Sequence, residues 1–158
     1  MRAKRAPIRE VKPDPIYGSV KVSKLINYVM LDGKRSVAQK QVYLALDEVA
    51  KALNKKPLEA LDDVINTVMP QMEVRSRRVG GAAYQVPMPV KPRRGFSLAV
   101  RWLIQEARKR PSKQYHSFAE KLTAEMLDAM QNMGGAMQRK ATSHRMADAN
   151  KAFAHFRW

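Results

Sequence analysis

Apolar residues recur at helical spacing over most of the chain. Val22, Leu25, Ile26, Val29 and Met30 follow i, i+3, i+4, i+7, i+8, which predicts a helix from about Val20 that stops at Asp32-Gly33. Val42, Ala45, Leu46, Val49 and Leu53 mark one stripe of a second helix, about Ser36 to Leu53. Pro57 suits the first position of a third, which carries Leu58, Leu61, Ile65, Val68 and Met69 and stops at Pro70. After Gly95, Ser97 is the expected cap of a fourth helix with Leu98, Val100, Trp102, Leu103, Ile104 and Ala107. A fifth holds Phe118, Leu122, Met126, Ala129 and Met130 and is expected to end near Gly134-Gly135. The last, rich in alanine, is expected to run from 136 to about Phe156.

The period changes once. In "EVRSRRVGGAAYQVPMPVKPRRG", residues 73–95, Glu73, Arg75 and Arg77 alternate with Val74 and Ser76, as strand residues do. Gly80-Gly81 permits the positive φ of a tight hairpin, and Tyr84, Val86, Met88 and Val90 form the return leg. Pro87 and Pro89, two apart, turn their missing N–H groups to one side, so the return leg is an outer edge that no third strand can extend. The prediction is a two-stranded ribbon over 71–91 projecting from a helical body.

Charge decides what such a ribbon is for. Among 158 residues, 30 Lys and Arg face 14 Asp and Glu, a net charge of +16. That excess costs stability through self-repulsion and points to a polyanionic partner, nucleic acid before an anionic membrane surface. The length fits one domain with a sizeable core. No apolar run approaches the roughly 20 residues of a membrane span, and the start, "MRAKRAPIREVKPDPIYG", lacks an apolar segment typical of a secretory signal. With no cysteine, disulfides and thiolate metal sites are excluded, in keeping with a cytoplasmic location.

Catalysis finds no support in the residues. His116, His144 and His155 lack metal-ligand spacing, and no phosphate-binding loop, dinucleotide fingerprint or nucleophile elbow occurs. The expectation is a protein that is not an enzyme and needs no cofactor, metal or small-molecule substrate. Arginine supplies a planar fork for phosphate oxygens and a flat face for bases. Four clusters offer such groups: Arg2, Lys4, Arg5 and Arg9 in a basic arm over 1–16; Lys34 and Arg35 in the first helix–helix turn; Arg75, Arg77, Arg78, Lys91, Arg93 and Arg94 along the ribbon and its root; and Arg139, Lys140 and Arg145 in the C-terminal helix. Arg108, Lys109 and Arg110 suit a helix C-terminus and need no ligand. Several separated clusters fit a folded RNA better than a regular duplex. A DNA-bending architectural protein that lays its ribbon in a minor groove is the alternative.

"PDPIYG", "LDGK", "EVRSRRVGGAAYQVP", "RRGFSLAVRWL" and "ANKAFAHFRW" together resemble the bacterial family of small-subunit ribosomal protein seven, over essentially the whole chain. The resemblance implies a mainly α fold: a six-helix, bundle-like body with one protruding antiparallel β-ribbon and a basic N-terminal arm, all one ribosomal RNA-binding domain over 1–158. It implies a structural constituent of the small subunit that binds the subunit's large RNA and nucleates assembly of its head. The arm, the turn and the ribbon root would hold RNA. Arg75, Arg77, Arg78 and the Gly80-Gly81 tip would lie near exit-site tRNA and mRNA, and the terminal helix near a neighbouring small-subunit protein. Two positions depart from the family pattern. Gln41 replaces an aliphatic residue, which is expected to loosen a helix contact, and Pro89 replaces an acidic one.

Overall fold

The computed structural model describes residue 6 and residues 10–156. Its elements follow in the order α1 Val20–Val29, α2 Arg35–Leu53, α3 Pro57–Val68, β1 Met72–Val79, β2 Ala82–Pro89, α4 Pro92–Lys109, α5 Phe118–Met130 and α6 Gly134–Ala149, then a 3₁₀ helix, Lys151–Phe156. The mainly helical architecture with one two-stranded antiparallel ribbon agrees with the sequence reading.

The predicted stripes form the core. Val22, Leu25 and Ile26 of α1, Val42, Leu46 and Val49 of α2, and Leu61, Val64 and Val68 of α3 are all buried. Helix α5 is the central element, packed against α2, α3, α4 and α6. Its Leu122 and Met126 are fully enclosed, each stabilising the fold by about 1.5–3 kcal/mol. Leu58 departs from the expected stripe: it lies in the first turn of α3 and is 36% exposed.

Several boundaries differ from expectation. The fourth helix starts at Pro92, before Ser97, so Gly95 lies inside it and Ser97 Oγ donates to the Arg93 carbonyl at 3.0 Å. Proline at N1 starts the helix, and glycine is needed because a Cβ at position 95 would meet the Met69 side chain at 2.7 Å. Gly134-Gly135 opens α6 and does not close α5. The final segment leaves the α conformation after Ala149 and tightens into the 3₁₀ helix. The arm expected to be unpacked through residue 16 is fastened at Asp14. That carboxylate is buried, accepting from the Ile16 and Tyr17 amides at 3.2 Å and from the Tyr43 hydroxyl at 2.8 Å. Gln41 has a partner that the sequence reading did not foresee: its Oε1 accepts from the Ala119 amide at 2.8 Å. It thereby satisfies one of the orphan donors at the start of α5.

A buried carboxylate joins three helices. Glu125 of α5 is 2% exposed. Its Oε2 accepts from Arg110 Nη2 at 2.7 Å, just past the end of α4, and its Oε1 accepts from the Ala136 amide of α6 at 2.9 Å. Arg110 also meets Asp128 and the Tyr115 hydroxyl, and Arg108 donates to the Val29 carbonyl at 3.0 Å. Those two basic residues at the end of α4 are thus structural, as expected.

Helix α6 in turn meets the ribbon. Ser143 Oγ donates to the Met72 carbonyl at 3.1 Å, and His144 Nε2 accepts from the Gln71 amide at 3.1 Å. On the other strand Tyr84 packs against Phe153 and Phe156, with ring centroids 5.3 and 5.1 Å away. The ribbon is two-stranded as predicted, but its root and its outer strand are braced by the C-terminal segment.

Two predictions follow from this packing. Glu125→Ala should lower unfolding stability by about 3 kcal/mol, because the charge of Arg110 loses its most buried partner; a urea-unfolding loss below about 1 kcal/mol would show that the junction does not depend on it. Burial, then the hydrogen bond to Asp47, pushes the Tyr17 phenol up to about 12. A raised phenol contributes stability that is complete below its unfolded value near 10 and is lost as pH rises through the folded one. Absorbance titration should therefore show an ionisation near pH 12 that disappears in Tyr17→Phe; its survival in that variant would exclude the assignment.

Candidate nucleic-acid interface

The ribbon's register follows from its turn. Gly80 and Gly81 have φ of +57° and +89°, the conformation of a two-residue turn that matches strand twist. Val79 therefore pairs with Ala82, Arg77 with Tyr84 and Arg75 with Val86. The Val90 amide donates to the Gln71 carbonyl at 2.9 Å, so the alternate pairs, Met72 with Pro89 and Val74 with Pro87, are the non-hydrogen-bonded ones. Both prolines thus sit where no ladder bond is lost.

Alternation puts Glu73, Arg75 and Arg77 on one face, with Arg78 on the other. Glu73 is 8% exposed. It accepts from Arg75 Nη2 at 2.6 Å and from Arg94 Nε at 3.1 Å, tying the first strand to the first turn of α4. Because α4 begins early, Arg93 and Arg94 belong to that helical turn and Lys91 is its N-cap residue, not part of a loose root.

From Arg93 the cationic face continues across α1. Lys24, Asn27 and Tyr28 of α1 and Arg93, Phe96 and Ser97 of α4 line a cleft of about 490 Å³. Lys24 Nζ lies 5.7 Å from the centre of the Phe96 ring. Arg35 reaches back from the start of α2, donating to Asn27 Oδ1 at 2.7 Å and to Ser23 Oγ at 3.3 Å. The turn, α1, α4 and the ribbon root therefore form one surface, built from Arg35, Lys24, Arg93, Arg94 and Arg75. Lys34 and Lys91 are exposed at its margins.

The acidic stretch 47–63 is drawn into internal pairs elsewhere. Asp62 meets Lys21 at 2.7 Å, Asp63 meets Lys55 at 2.5 Å, and Glu48 accepts from Thr123 at 2.8 Å.

The C-terminal candidates divide. Arg139 bridges to Glu106 and Gln105 at 2.5 Å, and Lys140 donates to the Thr67 carbonyl at 2.5 Å, so both face the body. Burial raises the Glu106 carboxyl, but Lys109 and Arg139 outweigh it and hold the group below its ordinary value. Arg145 is exposed. Arg2, Lys4, Arg5 and Arg9 lie outside the described residues. Among the described residues no three His, Asp or Glu side chains gather to hold a metal, and no helix is long and apolar enough to cross a membrane.

The family model for ribosomal protein S7p/S5e matches residues 1–151. The chain belongs to that family. It is 56% identical, over 96% of both chains, to small ribosomal subunit protein uS7 of Caldanaerobacter subterraneus subsp. tengcongensis. It is 54% identical over the full length of both to uS7 of Thermosipho africanus. Identity to uS7B of Aquifex aeolicus is 55% over 96% of each chain.

Within this family member, counting charges along the sequence did not find Lys24, Asn27, Tyr28 or Phe96. The signal was present: on α1 the first three occupy the i, i+3, i+4 positions left over by the buried stripe. Their meeting with α4, however, is a tertiary event. The same geometry separates two adjacent arginines. Arg94→Ala should leave Glu73 short of a partner and lower the melting temperature by several degrees, a loss of about 1–2 kcal/mol. Arg93→Ala, which has no ion pair with a described residue, should leave the melting temperature within a degree or so. Equal effects in a thermal melt would contradict the pairing.

Proposed function

We propose that the protein is a structural constituent of the small ribosomal subunit that binds the subunit's large RNA directly and nucleates assembly of its head. The observation that supports this best is the continuous cationic face that runs from Arg35 through the α1–α4 cleft to the ribbon. Ion pairs with Glu73 position Arg75 and Arg94, while Lys34, Arg77, Arg78, Lys91 and Arg93 make no ion pair with any described residue. These groups are spread over the α1–α2 turn, the ribbon and the start of α4, which suits a folded RNA junction, whose phosphates converge from several directions. Family membership agrees with this reading: its relatives are named as small-subunit ribosomal proteins.

Within that role, the arm residues Arg2, Lys4, Arg5 and Arg9, the turn and the α4 start hold ribosomal RNA. The ribbon, with Arg75, Arg77, Arg78 and the Gly80-Gly81 tip, lies near exit-site tRNA and mRNA. Arg145 and the exposed side of α6 face a neighbouring small-subunit protein. The mechanism is positional and not catalytic: charge-assisted contacts fix the junction so that later proteins can join. The DNA-bending alternative lacks a wedge, since Pro87 is buried and pairs with Val74, far from the tip.

Each phosphate neutralised releases counterions, so affinity for small-subunit RNA should fall with salt at a log–log slope of several units. Filter binding between roughly 50 and 200 mM salt, with duplex DNA as competitor, tests this. A slope near zero, or equal competition by the duplex, would falsify the reading.

A further inference from the structure

The cleft between α1 and α4 contains more than a phosphate site needs. Its volume of about 490 Å³ lies in the range of small-ligand clefts. Its lining combines two cations, Lys24 and Arg93, with two aromatic rings, Tyr28 and Phe96. Phosphate recognition uses the cations alone; aromatic faces beside them suit a base.

The rings are not equivalent. Lys24 is held over Phe96, and Phe96 also packs against the hydrophobic core. Tyr28 is 36% exposed. Among the described residues its ring stacks on no other aromatic side chain and its hydroxyl has no hydrogen-bond partner. The covered part of the ring packs on the body, and the exposed part offers a flat apolar surface to something that enters.

Asn27 adds a polar group whose orientation is set. Arg35 donates to its Oδ1, which sets the amide so that Nδ2, a donor with no hydrogen-bond partner among the described residues, is turned the other way. An acceptor on a base edge would complement it.

We propose that this cleft receives one unstacked nucleotide of the bound RNA. Its base stacks on Tyr28, an acceptor on its edge meets Asn27 Nδ2, and its phosphate lies between Lys24 and Arg93. The proposal rests on the reading of the protein as an RNA binder and refines it: part of the recognition is a bulged or loop nucleotide, not only backbone charge. Splayed-out bases are available in single-stranded loops and bulges and not inside a duplex.

The test uses the full-length protein and small-subunit ribosomal RNA. Tyr28→Leu removes the ring at a partly exposed position and should leave the thermal melt unchanged. It should weaken binding roughly tenfold, as loss of a stacked base does, without changing the salt slope, because no cation is lost. Lys24→Gln and Arg93→Gln should each weaken binding and reduce the slope. Short-wavelength ultraviolet irradiation of the complex, which activates all four bases, should crosslink RNA to the tryptic peptide 25–34 or 95–101. Unchanged affinity in Tyr28→Leu, while the two charge variants weaken binding, overturns the nucleotide site and leaves the RNA reading intact. Crosslinks confined to other peptides overturn it as well. A wild-type protein with no affinity for that RNA defeats both readings.

Discussion

Burying a carboxylate is costly unless it is fully paired, and the fold of this protein is organised around one that is. Glu125 sits at the meeting of α4, α5 and α6, with one oxygen on Arg110 and the other on the Ala136 amide. The surrounding residues fit that arrangement closely. A Cβ at Gly134 would lie 2.9 Å from Glu125 Oε1, and one at Gly135 would lie 2.7 Å from Glu106 Oε2. The glycine pair therefore lets the first turn of α6 close over two acidic side chains. Once that turn is fixed, the direction of α6 is fixed, and with it the contacts of Ser143 and His144 to the ribbon root. A single ion pair thus acts at a distance on the putting together of body and ribbon.

The same logic distributes the charge. A net charge of +16 repels itself, and ion pairs with a few acids offset part of it. Glu125 and Asp128 hold Arg110, Glu106 holds Lys109 and Arg139, and Glu73 holds Arg75 and Arg94. The first two sets fasten helices to each other. Glu73 instead fastens two arginines on the proposed RNA face, leaving each guanidinium with further donors. Such tethering reduces the side-chain entropy lost on binding, which makes the face more ordered before RNA arrives.

The hydrophobic pattern alone identified five helical stripes and the ribbon, because periods of 3.6 and 2 are local consequences of backbone geometry. It also gave the hairpin turn, since Gly80-Gly81 meets a requirement that few residue pairs satisfy. Boundaries were less legible for an equally physical reason. Gly95 and Gly134-Gly135 look like helix breaks, yet Gly95 lies inside α4, where a Cβ would crowd Met69, and the glycine pair opens α6, where Gly134 takes a positive φ and Cβ atoms would crowd Glu125 and Glu106. Gln41 seemed to weaken a contact because its partner, the Ala119 amide, is 78 positions away.

By itself the sequence determined the class of fold, the large positive charge and the family, all of which depend on composition, short-range periodicity and contiguous motifs. Only the tertiary structure decided which cations are paired within the protein and which make no ion pair with a described residue. Arg94 is paired with Glu73 and its neighbour Arg93 with no described residue, and Lys24 and Phe96 line one cleft from two helices. Those outcomes depend on distances between segments remote along the chain, and no local pattern encodes such distances.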